Sequence, residues 1–127
     1  MNQNTYTPMA SVRRSYGSKI EEVMNRIGFD CLPEKEKYFD IYNSLVFYIA
    51  DAELMPPDKS VRINGRWIPS DDVRQMFAKL TGEHVAFVAQ RFSRATEFIK
   101  SPRCYLQTAL FNAIADMPME NVQFAGG

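Results

Sequence analysis

The segment from Tyr38 to Ala52 constrains the fold most. Tyr38, Ile41, Tyr42, Leu45, Tyr48, Ile49 and Ala52 keep helical spacing over several turns, and Val46 and Phe47 widen the apolar face. A helix apolar around more than half its girth needs neighbours on several sides. The spacing therefore predicts a core helix over about Glu34 to Leu54, stopped by Met55-Pro56-Pro57. With 127 residues, the chain can bury one such core without disulfides or metals.

The partners of this helix are legible as narrower stripes. Ile20, Val23, Met24 and Ile27 fall at i, i+3, i+4, i+7, with Ser18 as cap and Gly28 as stop, while Glu21, Glu22 and Arg26 face away. Ser70, Asp71 and Asp72 open a third helix with Val73, Met76, Phe77 and Leu80 inward. Thr81-Gly82 ends it, and a fourth follows from about Glu83 with Val85, Val88, Ala89, Phe92 and Ala95 on one face. Ser101 caps a fifth, Pro102 takes its first position, and Tyr105, Leu106, Ala109, Leu110 and Ala113 form its inner stripe. Between helices two and three, Asn64-Gly65 sits inside alternating apolar and polar residues, the signature of a type I′ hairpin over about 60–69. Such a hairpin is marginal alone, so Trp67 and its neighbours are expected to pack on the helices.

The expected fold is mainly α, a compact bundle of about five helices with one β-hairpin. A flexible arm over 1–16, a single domain over 17–117 and a flexible tail over 118–127 complete it.

Catalytic parts are hard to find. The single histidine, His84, begins a helix with no nucleophile or acid arranged around it, and reads as a surface residue. Glu21/Glu22 and Asp71/Asp72 are adjacent in sequence and diverge by about 100° on a helix, so they do not converge on a substrate. Phosphate-loop, dinucleotide and zinc-hydrolase motifs are absent from the sequence, and no cofactor or metal is implied. Cys31 and Cys104 stand alone and read as structural thiols, which fits a reduced, cytoplasmic setting. The longest apolar run, Leu45 to Ala50, is far short of the roughly 20 residues that span a bilayer.

Binding is the remaining role. The 15 basic and 15 acidic side chains cancel, but unevenly along the chain. Arg74, Lys79, Arg91, Arg94, Lys100 and Arg103 outnumber Glu83 and Glu97 by four, whereas Asp40 to Asp58 carries only acids. Arg91, Arg94, Lys100 and Arg103, with Tyr105 as a stacking face, are the candidate DNA contacts at the junction of helices four and five. An ordinary solvated face explains the same four cations, and the stripe assigns Tyr105 to the core as readily as to a base. Phe87, Phe98 and Phe111 are the candidate contacts for a protein partner.

Three runs carry a resemblance to a known family: Val61 to Leu80 (VRINGRWIP followed by DVRQMFAKL), Glu83 to Val88, and Ile99 to Ala113 with its core YLQTALFN. Together they resemble the uncharacterised domain found behind the winged helix of RepA-type replication initiators of plasmids and conjugative elements. That domain is similar to the C-terminal module of DnaD-like primosome proteins. The resemblance covers about Ile20 to Ala113 and implies a DnaD-like, non-enzymatic module of replication initiation. It implies weak contact with single-stranded or forked DNA, or docking to replication proteins such as a helicase loader, or self-association. In DnaD-like relatives a tyrosine, an aliphatic residue four places on and then a tryptophan contribute to DNA binding. Tyr105 and Ala109 match the first two places, while Asn112 stands at the third with no tryptophan after it.

Overall fold

The wide apolar face of the central segment does find neighbours on several sides. A computed structural model of the chain describes residues 8–95 and 99–126, and side chains over 16–95 and 99–115. In order the elements are α1 (Pro8–Ile27), α2 (Phe39–Glu53), β1 (Ser60–Ile63), β2 (Arg66–Pro69), α3 (Ser70–Phe77), α4 (Gly82–Ser93) and α5 (Pro102–Gly126). This is the expected bundle of five helices with its hairpin between helices two and three. α2 packs against α1, α3, α4 and α5. Its Tyr42, Leu45, Val46 and Ile49 are fully buried among Val23, Val73, Phe77, Val85 and Leu110. The Tyr42 hydroxyl is satisfied there by donating to the Pro33 carbonyl at 2.6 Å.

Helix ends differ from the sequence reading in four places. α1 begins at Pro8, not at Ser18, because proline suits a first helical position and nothing up to Tyr16 breaks a helix. α2 begins at Phe39, not at Glu34: Leu32, before Pro33, is extended, and Glu34 is left-handed (φ 49°), so the chain turns once more before the helix starts. Gly82 opens α4 and Thr81 caps it, so this pair starts a helix as well as separating two. α5 continues past Pro118 to Gly126, Met117, Met119 and Glu120 being good helix formers around a single lost backbone bond. The residues 1–7 of the expected arm lie outside the described residues.

The hairpin forms as the Asn-Gly pair dictates. Asn64 (φ 56°) and Gly65 (φ 76°) take the two positive angles of a type I′ turn, and Val61 pairs with Ile68, Arg62 with Trp67, Ile63 with Arg66. Ile63 is buried and Val61 and Ile68 pack on the core, which orients the other face outward. Trp67 is on that outer face and 64% exposed, contrary to the expectation that it packs on the helices. The strand's two-residue period gives the inward places to Ile63 and Ile68 and leaves none for Trp67. The Asn64 amide donates to Asn112 Oδ1 on α5 at 2.8 Å and fastens the turn.

Candidate groove between the fourth and fifth helices

α4 and α5 pack directly on each other, and their outer rims leave a cleft of about 450 Å³. Phe87, Val88 and Arg91 line it from α4; Cys104, Tyr105, Thr108, Ala109, Asn112 and Ala113 line it from α5. Helical spacing explains both walls. Phe87 and Arg91 are four apart, as are Cys104, Thr108 and Asn112, so each set forms one ridge. The α5 ridge starts cleanly because the Ser101 hydroxyl accepts from the Cys104 N–H at 3.3 Å, the expected cap, with Pro102 as the first helical residue.

The groove gathers three of the expected site residues. The Arg91 guanidinium lies over the Phe87 ring, 5.4 Å from its centroid, and is exposed. Tyr105 is 37% exposed and packs on Phe92, ring centroids 5.7 Å apart, so it borders the groove and does not enter the core. The others are scattered. Arg103 turns the opposite way, bonding Asp51 on α2 at 2.8 Å and covering the Tyr48 ring. Arg94 and Lys100 are exposed but do not line the groove, and Phe111 is half-buried against the core, not a free aromatic. Phe98 lies outside the described residues.

His84 corrects another expectation. It is 8% exposed, not a surface residue, because its ring folds back over the start of α4. The Thr81 N–H donates to Nδ1 at 3.0 Å, which puts His84 at the N3 place of a capping box with Thr81. Accepting at Nδ1 places the neutral ring's proton on Nε2, a buried atom with no hydrogen-bond partner among the described residues. Burial pushes the imidazole below its ordinary value, and the Glu83 carboxylate opposes this. His84 is thus a neutral cap. Cys31 and Cys104 are free and both exposed, not structural thiols of the interior, and Cys104 belongs to the groove wall.

Sequence reasoning passed over a buried acid among the described residues. Glu53, its side chain 6% exposed, pairs with Arg26 at 2.5 Å and Lys19 at 3.4 Å, joining the end of α2 to α1. Its position in the only-acidic Asp40 to Asp58 stretch was a signal that a basic partner is needed. Among the described residues no cluster of His, Cys, Asp and Glu fits a metal ion, and no helix is long and apolar enough to cross a membrane.

The Family of unknown function (DUF6017) matches residues 9–123, and the chain belongs to it. No curated protein and no solved structure matches the chain.

Proposed function

We propose that this DUF6017 chain is a non-catalytic binding module of replication initiation in plasmids or other mobile elements. In this reading the α4–α5 groove docks a segment of another replication protein. The replication setting rests on the resemblance to the DnaD-like domain of RepA-type initiators. The docking mode rests on one observation above others: Val88, Ala109 and Ala113 make an apolar floor, with Arg91 and Tyr105 at the edge. An apolar anchor beside an acidic residue suits that floor and that cation. Weak DNA contact at the same junction is the second reading. Exposed Arg91, Arg94 and Lys100 favour it, and the engagement of Arg103 with Asp51 weighs against it.

Thr108→Arg fills the groove while keeping a good helix former on α5. Introduced into the replication protein that carries this domain, it is expected to lower the element's copy number without changing the melting temperature by more than a few degrees. Unchanged copy number with the groove blocked contradicts the docking reading.

A further inference from the structure

The α4–α5 groove is electrically uneven from one end to the other. Glu83, Phe87 and Arg91 recur every four residues and form one ridge of α4, so an acid, an aromatic ring and a cation follow one another along its length. The two charges stand about 12 Å apart on the helix. Glu83, Arg91 and, one turn further on, Arg94 are exposed, and among the described residues none of the three is in an ion pair. The connection to α5 adds exposed Lys100 and one acid, Glu97, which lies outside the described residues, so cations outnumber acids at this end. Between the charged ends the floor is apolar and built of small side chains, Val88, Ala109 and Ala113.

The walls limit the shape of what fits. The backbone groups of α4 and α5 bond within their own helices, and the Asn112 amide on the wall is already bonded to Asn64. An extended chain laid along this floor would bury N–H and C=O groups without partners, whereas a helix satisfies its own. Small floor residues let a third helix approach closely, its side chains entering between the Phe87/Arg91 ridge and the Cys104/Thr108/Asn112 ridge. From Cys104 to Ala113 the α5 wall runs about 13 Å, the length of about two and a half helical turns.

Building on the docking reading of this groove, we propose that its occupant is a short amphipathic helix of the partner, lying antiparallel to α4. The first turn of that helix carries acids facing Arg91 and Arg94. Apolar side chains at i, i+3 or i+4 and i+7 cover the floor, and the last turn carries a cation facing Glu83. Acids early and cations late also suit the occupant's own helix dipole, so the groove selects a pattern that already favours the helix. Turned end for end, the same helix would set acid against acid and cation against cation, so charge fixes its direction.

The probe is a displayed library of random peptides of about sixteen residues, just above the length at which isolated helices become stable. Selection on the whole chain, with the Thr108→Arg protein as counter-selection, is expected to enrich peptides with an acid about two turns ahead of a cation and helically spaced apolar residues between them. For a labelled synthetic copy of such a peptide, exchanging its first-turn acid for lysine is expected to weaken binding about fivefold by anisotropy, as for exposed charge pairs. Arg91→Glu in the protein is expected to restore the affinity of the exchanged peptide, with the circular dichroism of both protein variants unchanged. Groove-dependent peptides that are proline-rich, or that carry their charges in the opposite order, overturn the helix and leave docking standing. Failure to enrich any peptide that Thr108→Arg releases overturns both.

Discussion

The Arg103 guanidinium lies 2.8 Å from the Asp51 carboxylate, so a cation of the basic fourth-to-fifth-helix stretch is engaged by the acidic α2. The same guanidinium covers the Tyr48 ring, and Tyr16 on α1 shares the cluster: burial, then the Asp51 carboxylate, raise its phenol above the ordinary value, against the lowering pull of Arg103. Arg103 therefore joins α5 to α2.

Arg103→Ala is expected to cost about 0.5–1 kcal/mol, since both partners are part-exposed and the ring contact adds little more. Exchanging the charges, Asp51→Arg with Arg103→Asp, is expected to recover part of that loss in urea unfolding. Equal losses in single and double variants would deny the pairing.

Glu53 is the opposite case. Its carboxylate is buried, and the Nε atom of its partner Arg26 already lacks a hydrogen-bond partner among the described residues. Glu53→Ala leaves that guanidinium uncompensated, with an expected loss of about 2–3 kcal/mol. Chemical denaturation of the variant measures it, and a loss no larger than that of Arg103→Ala would contradict the burial argument.

Gly82 is required by packing. A Cβ there would overlap the Ile27 carbonyl oxygen, a backbone atom that cannot swing aside. Gly82→Ala is therefore expected to destabilise the domain by about 1–3 kcal/mol by forcing α4 from α1, whereas the ordinary effect of this change in a helix is a gain. Thermal unfolding decides the sign.

His84 makes stability depend on pH. Its folded value lies below the ordinary 6.5, so as pH falls the unfolded chain takes up the proton first. The stability contribution is complete above the unfolded value and declines as pH falls through it toward the lower folded value. His84→Gln keeps a capping-box residue and removes the titration. The melting temperature of the variant is expected to fall less than that of the parent between neutral pH and about pH 5.5, a span that brackets the ordinary imidazole value. Parallel falls would rule His84 out as the cause.

Much of the fold was legible because stripe and punctuation agreed. Val23 and Ile27, Tyr42 and Leu45, Val73 and Phe77, Val85 and Ala89, Leu106 and Leu110 were all placed inward by spacing, and all are buried. Asn64-Gly65 named its own turn. What spacing could not supply was the direction of residues at the stripe's edge: Tyr105 sits one step off the α5 core line and faces the groove, while Phe47 is 38% exposed and stacks on Tyr16. Charge blocks carried information that was used in only one direction. The basic surplus reads either as a site for an outside partner or as a solvated face, yet the all-acidic α2 region supplies an internal partner for Arg103. The marginal stability of a lone hairpin is the argument that puts Trp67 inward, although its cross-strand pairing with Arg62, away from Ile63 and Ile68, follows from the same two-residue turn that fixes the hairpin.

The most direct test of groove docking is a photo-crosslinking phenylalanine analogue at position 87, in cells where the element replicates. The account predicts crosslinks to an initiator or helicase-loading protein that disappear when Thr108→Arg fills the groove. Crosslinks to DNA alone, or protein crosslinks that survive Thr108→Arg, would contradict it.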